Sequence, residues 1–255
     1  MLRFILLLAT FYLTAVSLLA QQPLYVGEMQ HYRLPKLLAY NNPKNIEGTA
    51  TADKNASQNG FYPIGFSRDY RFAYLIDYAA TVGCDTHHVE LVVQNLVFNE
   101  VVWSWRGHYY GVPSAQTKPV KNDHLAALWD GRYTKIRRSL SEYHIHQPED
   151  SELLWLAGGN FKRKEQLFTL KSGVETSKKQ PAAKITMSCA KGSRVLYIKN
   201  NTEYELDKVQ IHGSFISEYD ERAAVLVELI FKGDTVLQPK RQLRMVGFDL
   251  INNFE

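Results

Sequence analysis

Seven consecutive residues, Cys84-Asp85-Thr86-His87-His88-Val89-Glu90, hold the densest set of metal-ligating and acid–base side chains in the chain. Thiolate, imidazole and carboxylate are the groups that zinc takes. The β-branched residues among them favour extended backbone, and strand alternation then puts His88 and Glu90 on one face and His87 on the other. A metal site here draws on His88 and Glu90, with Cys84 and Asp85 from the preceding turn. The competing reading is surface histidines beside a structural cysteine, because the strong spacings, His-Glu-x-x-His and paired Cys-x-x-Cys, are absent. A second pair, His144 and His146, shares a face only on extended chain, since residues two apart on a helix diverge. Four carboxylates, Asp69, Asp77, Asp85 and Glu90, suit glycoside hydrolysis only if the fold brings two of them together. No Gly-x-Ser-x-Gly elbow and no glycine-rich phosphate loop occurs.

An aromatic group follows. Trp103, Trp105, Tyr109 and Tyr110, with Arg106 and His108 between them, offer a platform on which a sugar or peptide stacks. Trp103 and Trp105 share one strand face, and Tyr109 and Tyr110 fall in an expected loop from Gly107 to Val120. The alternative is that both tryptophans fill the core beneath a helix.

The elements that must position these residues read as sheet. Ile64 and Phe66 lead into the polar turn Ser67-Arg68-Asp69-Tyr70-Arg71, and Phe72, Tyr74 and Ile76 alternate out of it, which predicts a hairpin. Val89 to Val93 and Val101 to Trp103 predict two more strands. Ser67, Asp69, Arg71 and Ala73, followed by Val89 to Val93 and Glu100 to Trp103, resemble the Ser-x-Asp-x-Arg-x-Ala hairpin modules of periplasmic Tol-associated β-propeller proteins and of exported bacterial proteins without an assigned role. The resemblance covers about a sixth of the chain, implies an extracytoplasmic compartment and carries over no catalytic residue. The pattern recurs from Gly213 to Val227, where Ser217, Asp220 and Arg222 stand as Ser67, Asp69 and Arg71 do. Two such units are too few for a complete propeller. In Ser67 and Ser217 a turn's need for a small polar side chain is sufficient explanation of the serine.

Between the units, Leu125, Leu128, Trp129, Ile136, Leu140 and Tyr143 recur at helical spacing, predicting a helical insertion around 122–147, weakened at Gly131 and ended by Pro148. Glu152 to Ala157 reads as helix extension or strand. From Phe161 onward strands are expected at 166–170, 183–189, 194–198, 208–211 and 244–250, with an exposed loop at 171–181. The expected fold is mainly β (α+β), an antiparallel sheet system from two hairpin units with one helical insertion.

Arg3, the apolar run Phe4–Leu19 and Ala20 form an expected signal peptide over residues 1–20, with cleavage after Ser17 or an uncleaved anchor as the alternatives. Residues 21–60 read as an arm and loop, and 61–255 as one domain. Later runs fall short of a membrane span. The formal net charge is +4, one less without Arg3, and well mixed, which does not indicate nucleic-acid binding. The two cysteines, Cys84 and Cys189, would meet an oxidising compartment, where pairing and two separate thiols are both open. The expectation is a secreted or periplasmic, non-enzymatic protein that binds a protein or cell-envelope partner, without cofactor. The alternative is a metal-assisted hydrolase using zinc at the Cys84–Glu90 cluster.

Overall fold

The structure, a computed structural model, describes residues 30–38, 40, 59–79, 86–110, 123–149, 153–176, 181–198, 205–232 and 241–251. The expected signal segment, residues 41–58 of the expected arm and loop, Cys84, Asp85 and the stretch 111–122 lie outside them. Two compact units divide the chain, Met1–His31 and Tyr32–Glu255. The second holds every element described: β1 (Gly60–Phe66), β2 (Arg71–Ala79), β3 (Thr86–Asn95), β4 (Glu100–Tyr110), α1 (Asp123–Glu142), β5 (Trp155–Ala157), β6 (Asn160–Arg163), β7 (Gln166–Glu175), β8 (Ala182–Cys189), β9 (Gly192–Ile198), β10 (Leu206–Ile216), β11 (Arg222–Phe231) and β12 (Arg241–Asp249).

Three antiparallel sheets form, and none closes into a barrel or propeller: sheet A in the order β1-β2-β3-β4, sheet B β12-β11-β10-β5 and sheet C β6-β7-β8-β9. Among the described residues the fold is mainly β with one helix, as expected. The two repeated hairpins, β1–β2 and β10–β11, sit in different sheets rather than side by side in one. Strand alternation shows why. In β2, Ala73 and Leu75 face α1, while Phe72, Tyr74 and Ile76 face sheet B. In β11, Ala224 and Leu226 face sheet A, while Ala223, Val225, Val227 and Leu229 face sheet C. Each inner strand is apolar on both faces, so each inner sheet is covered twice and the layers run helix, sheet A, sheet B, sheet C. Phe215 of β10 packs against Phe61 and Phe72 at the centre, with ring centroids 6.2 and 5.3 Å apart.

The repeated turns use their serines alike. Ser67 Oγ accepts from the Asp69 and Arg71 N–H groups at 3.2 Å each, and Ser217 Oγ accepts from Tyr219 and Asp220 N–H at 3.3 Å. Tyr70, at φ 62° in the first turn, lies under the Arg222 guanidinium at 4.6 Å, and Arg68 lies over Tyr219 at 5.7 Å. Each turn thus offers an arginine to the other's tyrosine, a pairing worth about 0.5–1 kcal/mol where exposed.

The helix is continuous through Gly131, where a side chain would meet nothing within 4 Å. It ends at Glu142, before the expected boundary at 147, because His144 takes a left-handed φ of 53° and Ile145 N–H turns back to Leu140 C=O. The segment 171–175, expected in a loop, instead extends β7, since Lys171 to Glu175 pair with Ala182 to Thr186.

Sheet A closes the exposed edge of sheet B with side-chain amides. Asn99 Nδ2 donates to Gly247 C=O at 3.3 Å and Asn99 Oδ1 accepts from Gly247 N–H at 2.5 Å, so one amide matches both backbone groups as a neighbouring strand would. Gln94 Nε2 donates to Met245 C=O at 2.9 Å while its Oε1 accepts from the Tyr74 hydroxyl, and Asn59 Nδ2 reaches Arg241 C=O at 3.5 Å. Gly247 permits this approach: a Cβ there would lie 2.2 Å from Leu96 O. Asn99 has φ 57°, so Asn99→Gly removes the amide without adding backbone strain. This variant should lose about 1–3 kcal/mol of unfolding free energy in urea denaturation, the cost of stripping buried donors and acceptors of their partner.

Candidate functional site

Strand β3 divides the histidine cluster as alternation requires. His88 and Glu90 lie on the face away from α1. There His88 is exposed opposite His108, and Glu90 Oε1 accepts from Arg106 Nε at 3.0 Å. His87 lies on the helix face. Among the described residues no three of His, Cys, Asp and Glu gather as a metal would need; Cys84 and Asp85 are outside that set. Cys189 ends β8, half-buried against the core between sheets B and C.

The polar group that does assemble is built by the neighbour of the expected ligand. Asp77 of β2 is 7% exposed on the face that otherwise carries Ala73 and Leu75. Its Oδ1 lies 3.0 Å from His87 Nδ1, and its Oδ2 accepts from the Tyr109 hydroxyl at 2.5 Å. Registry makes the meeting unavoidable, because His87 pairs with Ala79 on one side and Tyr109 on the other. The His87 and Tyr109 rings stack at 4.8 Å with 9° between planes, and His124, in the first turn of α1, stacks on Tyr109 at 6.3 Å. Burial, then the hydrogen bond to Asp77 and its charge, push the Tyr109 hydroxyl far above the ordinary tyrosine range. Tyr109 is therefore a fixed donor, and the carboxylate's other oxygen accepts from a Nδ1–H imidazole.

Of the other candidate carboxylates, the described Asp69 and Glu90 do not converge on Asp77. Asp69 is in the β1–β2 turn, beyond the strand steps from Arg71 to Asp77 and so roughly 20 Å away, where it bonds His144 Nδ1 and Arg71 NH1. The His144 hydrogen bond holds its carboxyl below the usual range. Glu90 is on the opposite face of sheet A from Asp77.

The six-residue aromatic platform is likewise split. Trp103, Trp105 and Tyr109 pack toward α1, with Leu128 and Tyr133, so the tryptophans fill the core under the helix. Arg106, His108 and Tyr110 point the other way and are exposed, Tyr110 by 68%. Tyr109 and Tyr110 are not in a loop: β4 continues through Tyr110, which pairs with Thr86. At Gly107 a Cβ would lie 2.6 Å from the Trp105 ring, so glycine lets the indole lie against the strand.

Sequence reasoning passed over His124 and a second buried group, His212, Glu228 and Arg241. His212 Nε2 lies 3.2 Å from Glu228 Oε2, and Arg241 NH1 lies 3.4 Å from the same oxygen. Tyr40 packs edge-on to His212 at 4.7 Å. The available signal was a single acid within an apolar strand, Asp77 in Arg71–Ala79 and Glu228 in Arg222–Phe231. No family model, curated protein or solved structure matches the chain.

On the other face, burial pushes Tyr78 up to about 12, with the Glu90 charge adding to the rise and Arg244 opposing it; Tyr74 is raised further, also by burial. Above pH 10 the unfolded chain loses these protons while the folded chain keeps them, so stability is intact below that pH and is lost as pH rises toward 12. Urea midpoints measured across that window should fall, and should fall less in Tyr78→Phe, which lacks one of the titrating groups.

Proposed function

We propose that the protein works outside the cytoplasm as a binding protein, taking an extended segment of a protein partner on the outer edge of β4. One contrast carries this reading. The edge of β12 is sealed by Asn59, Gln94 and Asn99, and that of β1 is covered where His146 N–H donates to Phe66 C=O and Leu38 N–H to Phe61 C=O, both at 2.8 Å. β4 runs for eleven residues as the outermost strand of sheet A, the longest outer strand among the described residues. Among the described residues a single hydrogen bond reaches its outer backbone, from the Tyr143 hydroxyl to Val102 C=O at 3.2 Å.

A long unpaired edge presents donors and acceptors that another strand completes, and natural sheets guard such edges with lysine, proline or short length. Residues 103–110 contain neither lysine nor proline and pair regularly with β3. Next to them, Phe98 is 71% exposed and Val101 53%, apolar surface at the end of the same strand. Alternate side chains on the outer face, Ser104, Arg106, His108 and Tyr110, would read the partner's sequence. The signal-like N-terminus and the hairpin resemblance support the compartment.

Selection from a display library of unstructured peptides on the purified protein tests this. Selected peptides should protect the amides of β4 from hydrogen exchange. Their affinity should fall at least tenfold in the double variant Val101→Lys, Ser104→Lys, whose own stability should stay within about 0.5 kcal/mol of the parent because both sites are exposed. Peptides that bind the double variant equally well, or that protect β9 at the edge of sheet C instead, would remove β4 from this role.

A further inference from the structure

We propose that Asp77 and His87 form a general-base dyad able to hydrolyse a neutral carboxylic ester, an activity separate from partner binding on the β4 edge. Selection among the histidines points to it. His88 and His108 are exposed and have no carboxylate partner among the described residues. His144 has Asp69, but the two side chains are 73% and 50% exposed, so water competes for every bond. His212 has Glu228, but at 3% and 1% exposure no substrate reaches them. Of these five histidines, His87 is the one that joins a buried carboxylate, at 10% side-chain exposure, to a ring that stays 34% exposed.

The geometry sets the protons. Asp77 Oδ2 is taken by the Tyr109 hydroxyl, and Oδ1 faces His87 Nδ1, so the imidazole holds its hydrogen at Nδ1 and its lone pair at Nε2. No group among the described residues is bonded to Nε2. Stacking on Tyr109 fixes the ring plane. An imidazole oriented by a buried carboxylate, with an open second nitrogen, is the arrangement of a general base.

The reaction balances with water alone. His87 Nε2 takes a proton from water as the oxygen adds to the ester carbonyl carbon. The tetrahedral intermediate then expels the alkoxide, which receives that proton from Nε2, leaving carboxylic acid, alcohol and neutral imidazole. Asp77 acts as a positioning residue that steadies the transient imidazolium. Substrate charge narrows the class: the dyad's own carboxylate disfavours an anionic substrate, and among the described residues no arginine or lysine bonds to Asp77, His87 or Tyr109 to offset it. Tyr109 in turn stacks on the His124 ring at 6.3 Å.

The purified full chain is assayed with p-nitrophenyl acetate and p-nitrophenyl butyrate. The expected result is hydrolysis at least tenfold faster than with free imidazole at equal concentration, lost in His87→Ala. In Asp77→Asn, kcat should fall at least tenfold with KM nearly unchanged, and the pH–rate profile should shift. Wild type no faster than His87→Ala overturns the proposal. Because Asp77 is buried and its variant is open to misfolding, acylation by diethyl pyrocarbonate, mapped by mass spectrometry on the unaltered chain, gives an independent reading. His87 should react faster than the more exposed His88 and His108; equal or slower reaction overturns the assignment.

Discussion

Three side-chain amides decide how the inner sheets meet. Sheet B ends in β12, whose outward N–H and C=O groups would be left without partners wherever sheet A covers them, at a cost of about 1–3 kcal/mol for each buried group. Asn59, Gln94 and Asn99 of the sheet A side fill those positions, Asn99 matching both groups of Gly247. Because an amide carries a donor and an acceptor on one short side chain, it can stand in for a strand. Gly247 lets Leu96 come close enough for this, and the Phe61, Phe72, Phe215 cluster packs in the space so defined.

With β12 closed in this way, burial on both faces becomes possible for β2 and β11, and polar residues on those strands acquire special status. Asp77 and Glu228 each occupy a core-facing position that its strand otherwise gives to Ala, Leu or Val. Each finds a histidine on a neighbouring strand. The two pairs differ in access rather than in chemistry. Glu228 and His212 lie inside the sheet A and B interface beneath Tyr40, whereas Asp77 and His87 lie at the end of sheet A, near the start of α1, where the ring still meets solvent. For a carboxylate and an imidazole buried as deeply as the first pair, desolvation offsets much of what their attraction contributes.

Backbone satisfaction also separates β4 from the edges at β1 and β12. The β3–β4 turn that carries Asn99 is tied to β12, and Tyr143 at the helix C-terminus reaches Val102, but the helix packs on the face of β4, and among the described residues nothing else bonds to its outer edge. The proposed binding role and the proposed hydrolytic dyad would therefore use the same strand in different directions: its outer edge for a partner chain, and its inner face, through Tyr109, for orienting Asp77.

Local residue patterns by themselves determined the antiparallel hairpins, the helix and their approximate places. A Ser-turn-Arg sequence closes locally, and apolar residues at periods of two or three to four must find a core whatever surrounds them. They also determined that His87 and His88 point to opposite faces, and that Trp103 and Trp105 share one, because alternation is a property of the strand. What they did not determine is which hairpin packs on which, that 161–198 forms a third sheet, or that His87 and not His88 finds an acid. Asp77 lies ten residues from His87 and Tyr109 thirty-two from Asp77, and His212 is brought to Glu228 by a hairpin sixteen residues long. Only registry between strands and the stacking of sheets fix those meetings, since the energy that selects them comes from burying the remaining apolar residues and not from the polar groups themselves.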